Sequence, residues 1–528
     1  MIEKWVQKFH AKPLRNIILL AFLVRLIAVF FAKGYAMHDD QFLTIEPASS
    51  WAYGLNNGDW LPGIGNTNEH PEPISFFYLG FLFVCFKILR ALDIENPDTQ
   101  MFYIRFLQAV YSLLTVYYAY KITERLSGTK NAIQVGLLLA LMAIVPNFSV
   151  RNLVEFTCMP PLLIGFWLLL SNFNFAGSGF KTIELADLRK DILNWKFIGA
   201  AIAMGLAVGL RFQTGLLVAL VGLMLLLQRG ILSAIVFGFI SFSAFFLTQI
   251  DDVLLWGGQP FQHLQGYFSY NSKNANNYPG SPFAYLSLIA LYILPPVSLF
   301  LMYGFFRQWK KQAMIFIPIF GFLIFHIVYP NRQERFILPA LPFIVMLGVI
   351  GWNEFILTSQ FWARRKQVLQ FCFSFFWVIN IAGMLVFCFT YSKKARVEAM
   401  LYLYHQGDCV NFVREATHSD GASMPPQFYS GHTWPAYYYW NDETNVEEVI
   451  AGFPLEEEQF SRRLHKKPIP NYYLFYDDAQ LESRVNRIKQ QVPTLTYATT
   501  IEAGWFDKLL HSLNEKNAIE KIHIYKVE

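Results

Sequence analysis

Apolar runs of about 18 residues recur along the first three quarters of this chain, each long enough to cross a hydrocarbon core as a helix. Backbone inside lipid must satisfy its own hydrogen bonds, so repeated runs of this length predict a polytopic bundle of membrane helices. Only 15% of the 528 residues are charged and 54% are hydrophobic, where a soluble chain of this size carries about 25% charge. The runs fall near 16–33, 74–92, 101–121, 130–148, 155–172, 196–212, 214–229, 230–249, 283–303, 312–329, 335–352 and 368–391. That predicts about 11–13 spans. Arg211-Phe212-Gln213 interrupts 196–229, which reads as two short or re-entrant helices or as one long one. Lys4, Lys8, Lys12 and Arg15 precede the first run and predict a cytoplasmic N-terminus. The run lacks a small-residue cleavage site, so it reads as a span and not as a signal peptide. A net charge of +5 gives no reason to expect nucleic acid as a partner. Cys85, Cys158, Cys372 and Cys388 lie in apolar runs and Cys409 lies alone, with no spacing for zinc or for a disulfide framework.

Three stretches break the apolar pattern. The first, 34–73, carries Met37-His38-Asp39-Asp40-Gln41-Phe42-Leu43-Thr44-Ile45-Glu46-Pro47 directly after the first run, and Asn68-Glu69-His70-Pro71-Glu72-Pro73 near its end. Its Ile45–Leu55 part predicts a short interfacial helix with Trp51 and Tyr53 at headgroup depth. The second, 250–282, is aromatic and amide-rich after Asp251-Asp252. The third, 393–528, loses apolar content and alternates strand-like pieces (Tyr472–Tyr476, Ile522–Val527) with helix-like ones (Ala479–Gln491, Phe506–Glu515). It predicts a small soluble α/β domain. The expected organisation is a transmembrane domain over 1–392 and a soluble domain over 393–528.

Acids at a membrane edge are costly, which makes Asp39 and Asp40 the first candidates for chemistry. One carboxylate can take a proton from a hydroxyl while the other orients, or the pair can hold a hard cation. The alternative is a solvated loop entry. The second candidate is Tyr329-Pro330-Asn331-Arg332-Gln333-Glu334-Arg335-Phe336, wedged between apolar runs. Two arginines there can bind phosphate, with Glu334 holding one in place, or they can anchor a loop. Pro339 and Pro342 predict an irregular start to the next helix. Arg25, Arg105, Arg151 and Arg211 are isolated cations in or near apolar runs, each requiring a partner or water. Glu155 lies four residues after Arg151 and can pair with it on one helical face. Gly431-His432-Thr433-Trp434-Pro435-Ala436-Tyr437-Tyr438-Tyr439-Trp440 can stack on sugars or pack the soluble domain.

These blocks together resemble the membrane mannosyltransferases of glycosyltransferase family 22, which have the GT-C fold. That family's signature has the form HPDE-x-F-Q-x-x-E-P. MHDDQFLTIEP aligns with it without a gap, through Asp39, Asp40 in place of the glutamate, Phe42 and Glu46-Pro47. YIRFLQAVYSLL resembles the next block through Arg105 and Gln108, RNLVE through Asn152 and Glu155, and GLAVGLRFQTG through Arg211. Asp251, Trp256-Gly257, Tyr270-Asn271 and Tyr278-Pro279-Gly280 resemble the family's loop. NRQERFILPALPF resembles the last block through Arg335, Phe336, Pro339 and Pro342. The chain departs from the pattern at Met37, His38, Leu43 and Asn331.

The resemblance implies a mainly α, polytopic GT-C bundle that moves a sugar, expected to be mannose, from a polyprenyl- or dolichyl-phosphate donor. The acceptor would be a hydroxyl of a glycan or glycolipid, and transfer would proceed with inversion. It implies Asp39 as general base, with Asp40 and His38 orienting it or binding acceptor. Arg335, with Arg332, would hold the departing lipid phosphate. Glu46, Arg105, Arg211, Asn271 and Glu334 complete the expected substrate-binding set, and no metal or cofactor is expected. The expected location is a bacterial inner membrane, active site and tail on the non-cytoplasmic side. Two other readings remain: a transporter or flippase whose buried charges line a solute path, and an inactive scaffold relative.

Overall fold

The computed structural model describes residues 11–54, 75–173, 192–254, 259–274, 281–415, 424–431, 436–440, 469–515 and 519–528, and structural statements here concern those residues. The expectations at Trp60, 68–73, Trp256-Gly257, 278–280 and 432–435 lie outside them. The chain packs as two compact units. The first draws on Met1–Val29, Glu72–Tyr78 and Phe106–Phe389, and the second on Phe30–Pro71, Leu79–Arg105 and Thr390–Glu528.

The first unit is helical. Each of the dozen apolar runs carries helix, though not all reach membrane length. Five helices are both long and apolar enough to cross a bilayer: Pro13–Phe31, Val154–Asn172, Ile231–Leu254, Glu334–Thr358 and Lys366–Cys388. A pair, Ala284–Ile293 and Val297–Arg307, bends by 116° and makes a broken sixth candidate. The ambiguous 196–229 stretch resolves as two helices, Trp195–Leu210 and Thr214–Arg229, parted at Arg211. Pro339 and Pro342 act as the sequence predicts: Glu334–Ala340 is a 3₁₀ turn ahead of the Leu341–Thr358 helix.

Close helix packing here rests on small residues, as expected where lipid supplies no hydrophobic drive between helices. A Cβ on Gly351 would stand 2.0 Å from the Gly304 carbonyl oxygen, and one on Gly304 would stand 2.1 Å from the Gly348 oxygen. Polar side chains close the helix breaks. The Thr129–Leu141 helix ends at Met142, leaving carbonyls with no partner in the helix. Arg25 reaches that end from the first span, donating to the Leu139 and Ala140 oxygens at 3.3 and 3.4 Å and to Ser112 Oγ at 2.8 Å. Asn380 donates to the Leu141 oxygen at 2.8 Å and accepts from the Ala143 N–H at 2.9 Å. A cation in the middle of a span is thus spent on backbone carbonyls.

The second unit contains a five-stranded sheet: β1 (Asn411–Glu415), β2 (Ala436–Trp440), β3 (Tyr472–Tyr476), β4 (Leu495–Ile501) and β5 (Ile522–Val527). The order is β2-β1-β3-β5-β4, with β1 parallel to β2 and β3, and β5 antiparallel to β3 and β4. The unbroken apolar run of β3 is buried on both faces, as a central strand requires. Val413, Tyr473 and Phe475 pack against Val485, Ile488 and Val492 of the segment that includes the Leu481–Lys489 helix. Arg484 enters this interior with its two terminal nitrogens partnered: it lies 3.2 Å from Glu415 and donates twice to the Tyr476 oxygen at 3.0 Å.

Two chain segments are stapled in this unit. The Ser392 N–H donates to the Lys33 oxygen at 3.1 Å, and Gly34 bridges Ser392. Gly34 has φ +73°, and a Cβ there would lie 1.9 Å from the Ser392 oxygen. Both conditions demand glycine. Gly34→Ala is therefore expected to lower the thermal midpoint in detergent, with about 1–2 kcal/mol lost to the left-handed backbone alone. A midpoint within experimental error of the parent would contradict the staple.

Candidate active site

The acidic motif folds as a short helix, His38–Phe42, followed by a second, Ile45–Ala52, close to the predicted interfacial helix. The two adjacent aspartates have different surroundings. Asp40 is buried and folds back on its own helix start, accepting the Ala36 N–H at 2.9 Å and the Met37 N–H at 3.1 Å. From the N3 position it satisfies the N-cap amide of Met37, an orphan donor of the helix start, and the amide before it. Asp39 is half-buried, its neighbour His38 is exposed, and the His38 ring stacks on Phe42 at 4.6 Å. Asp40 therefore fixes the turn that presents Asp39.

Glu46 is buried and joins the motif to the tail. Its carboxylate accepts from Gln41 Nε2 at 2.9 Å and from the Phe428 N–H at 3.1 and 3.0 Å. Burial pushes its pKa up to about 8, against the opposing pull of those hydrogen bonds. The folded chain thus holds this proton more tightly than the unfolded chain, so unfolding free energy falls as pH rises from 4.5 towards 8. Glu46→Gln is expected to flatten the thermal midpoint across that window, measured at several pH values in detergent. An unchanged slope would remove Glu46 as its source. Arg105 is buried in the same unit, 4.0 Å from Asp98, which also pairs with Lys33 at 2.6 Å.

In the first unit Arg335, one of the two expected phosphate ligands, meets Arg211 rather than Arg332 around an acid from another block. Glu155 lies 3.1 Å from Arg211 and 3.4 Å from Arg335, and all three are buried. Gln213 accepts from Arg211 at 2.8 Å and Gln333 from Arg335 at 2.6 Å. Both guanidiniums face the Phe336 ring, at 4.9 and 5.8 Å. Two guanidiniums converge on one carboxylate oxygen, a pairing of planar donors suited to an anion. Residues 151–153 are not helical, so the Arg151–Glu155 spacing does not place the pair on one helical face; Glu155 turns to the two distant arginines. Glu334 is exposed and forms no ion pair among the described residues, so the acid beside Arg335 is Glu155 and not Glu334.

The remaining expected residues brace this region. Arg332 donates to the Ile327 oxygen at 3.0 Å, and Asn331 donates to Asn271 at 3.0 Å. Tyr285 and Tyr292 donate to the Gln333 and Glu334 oxygens at 3.1 and 3.2 Å. Tyr78 donates to Asn152 at 3.0 Å and accepts from Gln108, joining two motif blocks through a tyrosine outside both. Asp251, Asp252 and His263 bring one donor atom each within 4.8 Å of one another and are the described residues able to hold a metal ion.

A mostly helical chain with several membrane-length apolar helices and a small C-terminal sheet is of the GT-C fold class. Its fold is similar to that of ArnT from Cupriavidus metallidurans. The undecaprenyl-phosphate-bound form matches with TM-score 0.56 at 12% identity over 98% of both chains. The apo form matches with TM-score 0.57 at 11% identity over 100% of this chain and 98% of the other. The apo oligosaccharyltransferase of Archaeoglobus fulgidus matches with TM-score 0.50 at 12% identity, over 88% of this chain and 70% of that one. No curated protein sequence matches. The model of the Alg9-like mannosyltransferase family matches residues 16–421, and the chain belongs to that family. It is an integral membrane glycosyltransferase.

Proposed function

We propose that this enzyme moves a mannosyl residue from a polyprenyl-phosphate donor to a hydroxyl of a glycan or glycolipid, with inversion. Family membership supports mannose, and the bound undecaprenyl phosphate of the ArnT structure supports a lipid phosphate. The observation that carries the reading is the Arg211–Glu155–Arg335 cluster. As the glycosidic bond breaks, negative charge grows on the lipid phosphate, and preorganised guanidiniums stabilise that charge in a water-poor setting. Asp39 is the proposed general base, taking the acceptor hydroxyl proton as the oxygen attacks the anomeric carbon. Inversion requires one displacement and no covalent enzyme intermediate. Bacterial inner membrane and a non-cytoplasmic active site complete the proposal.

Undecaprenyl phosphate tests the arginine roles without knowledge of the acceptor. It is expected to bind the purified chain more tightly than undecaprenol. Arg335→Gln and Arg211→Gln are each expected to weaken phosphate-lipid binding about 10–100-fold while leaving undecaprenol binding unchanged. Equal loss for both lipids, or no loss for either, would contradict the assignment.

A further inference from the structure

The Trp505–Leu513 helix is amphipathic with its faces reversed relative to a helix packed on a core. At about 100° per residue, Trp505, Phe506, Leu509, Leu510 and Leu513 fill one arc of about 140°, and Asp507, Lys508, His511 and Ser512 fill the rest. The polar side makes the contacts with the protein. Asp507 accepts the Lys393 N–H at 3.4 Å, and Lys508 lies 3.7 Å from Glu502. On the apolar side Trp505, Leu509, Leu510 and Leu513 are 49%, 39%, 36% and 75% exposed, and no residue of the helix is buried. Burial raises the Asp507 pKa, in keeping with a carboxyl turned inward.

The start of this helix is fixed at a membrane exit. A Cβ on Gly504 would touch the Tyr391 oxygen at 3.1 Å and Lys394 Cβ at 3.3 Å. Tyr391 follows the end of the Lys366–Cys388 span by three residues, and Ser392 is stapled to Lys33, two residues past the end of the Pro13–Phe31 helix. Two spans thus end within a few residues of the point that anchors the helix. Tyrosine and lysine immediately after a span mark headgroup depth.

We infer that Trp505–Leu513 lies in the membrane interface, with Trp505, Leu509, Leu510 and Leu513 in the acyl-chain boundary of the leaflet where the last span ends. The occupant is the phospholipid bilayer. The inverted polarity requires an apolar partner, and the anchor at residues 391–394 provides one within a helix length, about 14 Å for nine residues.

The test uses the full-length chain with its five native cysteines replaced, reconstituted in phosphatidylcholine–phosphatidylglycerol vesicles. Nitroxide labels go singly at Leu509→Cys, Leu513→Cys, Lys508→Cys and Ser512→Cys. No residue of the helix is buried in the protein, so none of these changes removes a core side chain. Labels at 509 and 513 are expected to relax several-fold faster with oxygen than with a water-soluble nickel chelate, and labels at 508 and 512 to show the reverse. Equal, nickel-dominated relaxation at all four positions would overturn the inference. So would low accessibility to both reagents at 509 and 513, which would mark a protein contact.

Discussion

Asp39→Asn is expected to leave the chain folded and membrane-inserted while slowing sugar transfer about 10²–10⁴-fold, the range associated with loss of a general base. The expectation depends on the division of labour in the motif. Asp40 holds the Ala36 and Met37 amides, so its replacement disturbs the turn itself. Asp40→Asn should lower both thermal stability and rate, because an amide cannot replace a carboxylate that accepts two N–H groups. Asp39→Asn should lower the rate far more than the thermal midpoint. Single-turnover transfer, with the thermal midpoint measured beside it, separates the two. Equal destabilisation by both variants would make Asp39 another structural acid, and full activity of Asp39→Asn would remove it as the base.

The second large effect is expected at Glu155. It compensates both Arg211 and Arg335 from a buried position, and breaking a buried pair from one side costs about 3–5 kcal/mol. Glu155→Ala removes the acid that the two guanidiniums share, so a large fall in the thermal midpoint follows. If the cluster is built for a phosphate, undecaprenyl phosphate should restore more stability to Glu155→Ala than to the parent, since the anion takes the place of the carboxylate. Undecaprenol should restore none. A Glu155→Ala chain as stable as the parent would show that the cluster holds nothing together.

Much of this was legible in the residues. The interruption at Arg211, the irregular start at Pro339 and Pro342, and the helix after Thr44 follow from local backbone preferences that neighbours reinforce. The pieces around Tyr472–Tyr476 and Ile522–Val527 announced a sheet by composition. Other features depend on contacts between residues far apart in sequence. Glu155 looked like a partner for Arg151 because four residues suggest one helical face, but the backbone there is not helical through 151–153. Its true partners lie more than fifty residues away on two other segments. Likewise, two adjacent aspartates carry no mark of which will fold back on the amides before it. The sequence shows that Arg25 requires a partner or water, and only the break at Met142 shows which carbonyls supply it.

The most direct test of the account is transfer itself. The purified chain in nanodiscs would be given polyprenyl-phosphate mannose labelled in the sugar, with total membrane glycolipid as acceptor. Label is expected to move from the donor lipid to an acceptor in an α linkage, the inverse of a β donor, and to stay on the donor with Asp39→Asn. Label that stays on the donor with wild-type enzyme across all acceptor fractions, or transfer by Asp39→Asn at the wild-type rate, would contradict it.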